Sequence, residues 1–257
     1  MTSAAIDVRT VGSGPHHVLA LHGWFGSAEG WGQLPDYLDR SAATWAFPDL
    51  RGYGRRRDEA GEHTVAEVAA DTLSLADRLG WDRFSLVGHS MSAKYVQQVL
   101  ADAPDRVQKL VAISGVPAGS TPFDAQGRAL FEGAAAERGN RYAIIDLTTG
   151  NRLTPAFLDA LTQHSMDTSD VDAFGAYFTA WADEDITAAV TGVADRVPVL
   201  CVVGAHDPAL GPDTMNATWL ATYPRAELVV LADAGHYTMY ETPPALVMIV
   251  EEFLARR

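Results

Sequence analysis

The sequence predicts an α/β domain: a mostly parallel sheet flanked by helices, with a helical segment inserted in its second half. Three observations carry this. Short β-branched or apolar runs bounded by turn residues alternate with stretches of helical spacing, the signature of repeated βαβ units. The alternation breaks between about residues 116 and 193, where helical patterns and aromatics continue without a convincing strand. With 257 residues, 47% of them hydrophobic, the chain suits one core carrying an insertion. The expected division is a core of residues 1–115 and 194–257 and a helical cap of residues 116–193.

Taken in order, a strand near residues 6–11 adds an antiparallel edge, and strands follow at about residues 18–21 and 44–47. Val65, Val68, Ala69, Thr72, Leu75, Ala76 and Leu79 recur at helical spacing, so a helix over residues 64–79 lies against the sheet ahead of a strand at 84–87. The next helix, residues 92–101, stops before Pro104, because a proline pushes the preceding residue out of the helical region. Strands at 110–113, 199–203 and 227–231 complete the sheet around the insertion. The insertion's aromatics, Phe123, Phe131, Phe157, Phe174, Tyr177, Phe178 and Trp181, read first as its own core, and Trp181 is also a candidate substrate contact.

A formal net charge of -14 argues against a nucleic-acid or anionic-membrane partner, because phosphate-rich surfaces are repelled at long range. The N-terminus lacks a basic start followed by an apolar core, and no apolar run reaches the roughly 18 residues of a membrane span. The expectation is a cytoplasmic monomer or homodimer acting on a small molecule. The one cysteine, Cys201, lies in an apolar run and reads as a buried structural thiol. His16 and His17 are adjacent, unlike a spaced set of metal ligands, so neither a metal nor another cofactor is expected.

The chemical signal is Phe84-Ser85-Leu86-Val87-Gly88-His89-Ser90-Met91-Ser92, an apolar strand running into a turn and then a helix. A serine presented on such a turn needs small residues two before and two after it, which Gly88 and Ser92 supply, although glycine is the usual second one. A hydroxyl is a weak nucleophile at neutral pH, so Ser90 needs a base, and the base needs a third group to fix its tautomer. Asp207 follows the 199–203 strand through Gly204-Ala205-His206, and His236 follows the 227–231 strand in Asp233-Ala234-Gly235-His236. Serine, acid, histidine is the chain order that accompanies this kind of turn. Asp233 is a rival acid, but its closeness to His236 reads as a turn residue. The backbone amides of Trp24 and Met91 are the candidate oxyanion donors, with Phe25 as a substitute for Trp24. Trp24 and Phe25 are also expected beside the substrate, and His22 reads as a hydrogen-bonding residue that shapes the loop.

His22-Gly23-Trp24-Phe25-Gly26, Asp49-Leu50-Arg51-Gly52-Tyr53-Gly54, Gly88-His89-Ser90-Met91-Ser92, Gly204-Ala205-His206-Asp207 and Gly235-His236 jointly resemble the α/β-hydrolase family over nearly the whole chain. The resemblance implies an eight-stranded sheet, a helical cap after the sixth strand, and triad roles for Ser90, Asp207 and His236. It also implies a structural turn at residues 49–54, beyond which Arg55, Arg56 and Arg57 read as a solvated run. Haloalkane dehalogenases and epoxide hydrolases carry an aspartate where this chain has Ser90. Gly-His-Ser-Met-Ser-Ala is similar to the variant turn of the strigolactone and karrikin receptor branch and its bacterial relatives.

The implied function is hydrolysis of an ester or lactone of a small, largely apolar substrate through an acyl-enzyme. One alternative is carbon–carbon bond hydrolysis of a dienoic ketone, whose carboxylate would call for an arginine. Arg128, Arg138, Arg141 and Arg152 lie in the cap, with surface roles as their simpler reading. An alternative of another class is a receptor or signalling protein that retains the triad.

Overall fold

The computed structural model describes residues 8–256. The first part of the chain contributes β1 (Arg9–Gly12), β2 (His16–Leu21), α1 (Leu34–Tyr37), β3 (Ala43–Phe47), α2 (Val65–Leu79), β4 (Phe84–His89), α3 (Met91–Asp102) and β5 (Val107–Ile113). Five helices follow without a strand: α4 (Ala125–Gly133), α5 (Arg138–Thr148), α6 (Pro155–Thr168), α7 (Val171–Asp183) and α8 (Thr187–Thr191). The sheet then resumes with β6 (Val199–Gly204), α9 (Pro212–Ala217), α10 (Trp219–Thr222), β7 (Ala226–Leu231), α11 (Thr238–Glu241) and α12 (Pro243–Ala255).

The strands lie in the order β1-β3-β2-β4-β5-β6-β7, with β1 antiparallel to β3 and every other pair parallel. Seven strands are present among the described residues, against the eight that the resemblance implied. The expected antiparallel edge is β1, and positions 6 and 7 of that expectation fall outside the described residues.

Helices on both faces explain the strand sequences. Central β4 and β6, FSLVGH and VLCVVG, are buried at every position, so they read as continuous apolar runs rather than as alternation. Edge strand β7 is mostly half-buried. Thr64 caps α2 by accepting the Glu67 amide, and Gly80 ends it with φ 71°, a left-handed conformation open to glycine without penalty. Lys109 on β5 donates its ammonium to the Phe253, Leu254 and Arg256 carbonyls, satisfying acceptors that the end of α12 leaves open.

Cys201 is fully buried in β6, and burial pushes its thiol up to about 12. A thiol so poor in thiolate does not react. The native protein should therefore show no titratable thiol with a disulfide reagent, and one equivalent after denaturation; rapid native labelling would contradict this packing.

One member of the arginine run, Arg56, departs from the solvated stretch expected. Arg56 shares Asp71 with Arg51 and also pairs with Glu59, while Arg57 donates to the Ser169 carbonyl. Asp49 organises the turn beneath them by accepting the amides of Ala28 and Arg55. Arg56 is the half-buried member of the run, held in this network, while Arg55 and Arg57 are exposed.

Candidate active site

Strand β4 ends at His89, and Ser90 turns the chain into α3 with φ 54° and ψ -118°. A side-chain-bearing residue held there carries roughly 1–3 kcal/mol of strain. Its backbone is fixed on both sides: the Ser90 amide donates to Ile113 O at 2.9 Å, and Ser90 O accepts from the amides of Ala93 and Val116, each at 3.0 Å. From residue 84 to residue 97, Ser90 alone is not buried. Ser90 is thus the one half-buried residue in an otherwise buried stretch.

Close approach explains the small neighbours. A Cβ at Gly88 would stand 2.7 Å from Ala93 N and Cα, and one at Gly23 would stand 2.4 Å from His89 Nδ1 and 3.2 Å from Ser90 Cβ. The 22–26 loop therefore reaches the serine only because Gly23 has no side chain. Ser92 departs from glycine for a positive reason: its hydroxyl donates to His22 O at 2.5 Å, tying the start of α3 to that same loop. Gly23→Ala should push the loop off Ser90 and lower turnover by about a hundredfold, the cost of a displacement near 1 Å at a catalytic group. A steady-state assay of the folded variant measures this.

His236 and Asp207 meet as a pair. His236 Nδ1 lies 2.6 Å from Asp207 Oδ2, and Asp207 Oδ1 accepts the amides of Ala209 and Leu210, both at 3.0 Å. Both side chains are buried. Burial alone would raise the Asp207 carboxyl, but the His236 ring and the two amides outweigh it and hold the group below the ordinary carboxylate range. Asp207, not Asp233, is the acid that meets the histidine, and the Asp233 carbonyl instead accepts from Arg152.

The supports of His236 are ones that sequence reasoning missed. Its amide donates to Thr148 O at 3.1 Å, and Glu241 accepts the amides of Gly235 and Tyr237 on either side. His89 Nε2 lies 3.1 Å from His236 O, so that nitrogen carries the proton and donates. Burial, with the nearby His236 ring, lowers the His89 pKa to about 3 and keeps the imidazole neutral. Only the Glu241 brace, five residues beyond His236, lies near enough in sequence to have left a local signal.

The loop before the serine is similarly fixed. His22 Nε2 accepts the Leu50 amide at 3.2 Å, so Nδ1 carries the proton and donates to Gly23 O at 2.9 Å. Burial lowers the His22 pKa, consistent with a neutral ring. Tyr53 donates to Trp24 O at 2.8 Å. Among the described residues, the amides of Trp24, Phe25 and Met91 donate to no protein acceptor, which leaves them free for a ligand.

Trp24, Phe25 and Trp181 fall into one buried aromatic cluster. The Trp24 ring stacks on Phe174 with centroids 4.1 Å apart and donates its indole N–H to Phe174 O at 2.9 Å, while Phe25 and Trp181 pack edge-on to it. These contacts bind the 22–26 loop to α7. Arg128 and Arg138 make surface pairs with Asp183 and Asp159, and Arg152 pairs with the buried carboxylate of Glu241. Arg141 departs from the surface role expected of it: it is buried, stacks 3.6 Å over Phe174, and donates to Ala134 O, Ala135 O, Ser165 O, Ser165 Oγ and Ser169 Oγ. Five neutral acceptors stand in for the water that a surface arginine would keep.

The family model described as the alpha/beta hydrolase family matches residues 18–248. This chain belongs to the alpha/beta hydrolase family. This alpha/beta hydrolase is 25% identical to a 2-hydroxy-6-oxononadienedioate/2-hydroxy-6-oxononatrienedioate hydrolase of Klebsiella pneumoniae, over 98% of this chain and 91% of the relative. It is 24% identical to epoxide hydrolase 3 of Siraitia grosvenorii, over 97% of this chain and 94% of that one. An esterase from Exiguobacterium antarcticum superposes with a TM-score of 0.85 at 18% identity, covering 97% of this chain and 95% of its own, a likeness of fold. No helix among the described residues is long and apolar enough to cross a membrane.

Proposed function

We propose that this alpha/beta hydrolase cleaves a carboxylic ester or lactone of a small, largely apolar substrate through an acyl-enzyme, with Ser90 as nucleophile and residues 116–193 as the cap over it. The observation that carries this reading is the His236–Asp207 pair, 2.6 Å apart, in the loops after β7 and β6, in a sheet whose β4 ends at Ser90, the one residue of 84–97 that is not buried. Asp207 holds the proton on Nδ1, which leaves the Nε2 lone pair of His236 to take the proton of Ser90 as Oγ attacks the carbonyl. The unspent amides of Trp24 and Met91 would receive the developing oxyanion. His236 then returns the proton to the leaving alcohol, and water, activated by the same ring, releases the acid.

Short-chain p-nitrophenyl esters, lactones and a dienoic ketone, assayed beside fluorophosphonate labelling of Ser90, test the proposal. The expected result is multiple turnover of an ester or lactone, with one label per chain on Ser90. Absence of both would overturn it.

Carbon–carbon hydrolysis is the second reading, and Arg141 together with the Klebsiella relative favours it. A buried guanidinium with only neutral partners is a cation without a counter-charge, and a dienoate carboxylate could supply one. Turnover confined to the dienoic ketone, and lost in Arg141→Met, would replace the ester reading.

A further inference from the structure

We infer that Lys94 is a positioning residue: it clamps the chain segments before α4 and after α7 onto the helix that follows the nucleophile, and so sets the cap over Ser90. The inference rests on the role of Ser90 proposed above. Lys94 lies on α3 one turn beyond that serine and is fully buried. Its ammonium donates to Gly119 O at 2.9 Å, where the chain enters the insertion, and to Glu184 O at 2.6 Å, just past the end of α7. Between these points the two chain segments bond to each other, Thr121 N to Ala182 O at 2.7 Å and Ile186 N to Ala118 O at 3.0 Å. Gln97, on the same helix, adds a contact to Val116 O at 3.4 Å.

An ammonium is a costly way to fill a core. Burial lowers its pKa to about 8, against the opposing pull of Asp185, Glu184 and Asp183. A methionine would fill the same space without that penalty, so the amine is there for what it bonds. The two carbonyls belong to the neck through which α4 to α7 leave the core and return to it. Because the Trp24 indole donates to Phe174 on α7, the cap's position also reaches the loop beside Ser90. Losing the amine should loosen the neck and spoil the fit of substrates that touch the cap, while leaving the serine reactive.

The test compares Lys94→Met and Lys94→Arg with the unaltered protein. For Lys94→Met, KM for p-nitrophenyl octanoate should rise about tenfold or more, the worth of one charged hydrogen bond, with kcat within about threefold. Fluorophosphonate labelling of Ser90 should stay within about threefold, and amide exchange over residues 116–121 and 182–187 should speed by about tenfold. Lys94→Arg, which keeps charge and donors, should recover part of each loss. Unchanged KM and unchanged exchange, with only a lower melting temperature, would overturn the inference.

If Lys94→Met does not fold, the unaltered protein still decides. Between pH 7 and pH 9.5 the ammonium near 8 loses its charge while Asp183, Asp185 and the Asp183-paired Arg128, which with Glu184 lie around it, keep theirs; the neutral amine retains two N–H donors, so its bonds to Gly119 O and Glu184 O weaken without being lost. Neck exchange, corrected for the intrinsic effect of pH, should rise over that window more than exchange in β4 and β5. Equal protection at both pH values would overturn the clamp. Failure of Ser90 to label in the unaltered protein, with the neck results as expected, would remove the nucleophile reading and leave the clamp standing.

Discussion

Replacing Ser90 with glycine should abolish turnover and raise the melting temperature together. The two effects have separate causes. The hydroxyl is the proposed nucleophile, and losing a nucleophile of this kind lowers kcat on the order of 10⁴- to 10⁶-fold. The backbone at φ 54° and ψ -118° strains any residue with a side chain, and glycine removes roughly 1–3 kcal/mol of that strain. The greater freedom of glycine in the unfolded chain offsets about 0.5–1 kcal/mol of the gain. A net gain near 1 kcal/mol corresponds to about 2–4 °C for a domain of this size. The anchoring bonds at this position run through backbone N and O, so glycine retains them. Ser90→Ala is the control, because it loses the hydroxyl and keeps the strain: activity should vanish without a rise in melting temperature. Thermal melts and ester assays on the three proteins decide it. A Ser90→Gly variant that keeps more than about a hundredth of the original rate would end the nucleophile assignment.

The contrast between strain and reactivity also marks what can be read from residues alone. The Gly88-His89-Ser90 turn is legible because its demands are local: an apolar strand, a small residue before the turn and a helix after it. Asp207 and His236 are legible because each closes a strand whose apolar run is unmistakable. Long-range polar bonds leave no such trace. Ser92 looks like a flaw in a motif until its hydroxyl is found on His22 O, seventy residues earlier in the chain. Lys94 and Arg141 carry charges on helices, where a sequence suggests solvent. Both are buried because a second layer covers them, α7 and α8 over α3 in one case and the C-terminal end of α6 in the other. Such burial depends on which carbonyls happen to lie opposite, and that is a property of tertiary packing rather than of spacing along one element.

Asp207→Asn is expected to lower kcat by about 10⁴-fold with little change in fold, through the tautomer of His236. The carboxamide oxygen introduced by the substitution can still accept the amides of Ala209 and Leu210, which now bond Oδ1 of Asp207. The carboxamide nitrogen then faces His236 Nδ1 as a donor, in place of the Oδ2 acceptor 2.6 Å away. Two donors cannot share that contact, so the imidazole moves its proton to Nε2 and presents Nδ1 as the acceptor. The lone pair that should take the Ser90 proton is lost, although every heavy atom stays near its place. The native carboxylate also has a measurable stake in stability. Because its folded pKa lies below the ordinary carboxylate value, its stabilising contribution is complete above that value and disappears as pH falls through the lowered one. Asp207→Asn should therefore unfold less steeply with acid than the unaltered protein, while its pH–rate profile stays low throughout. Activity within about tenfold of the original would mean that Asp207 does not set the tautomer of His236.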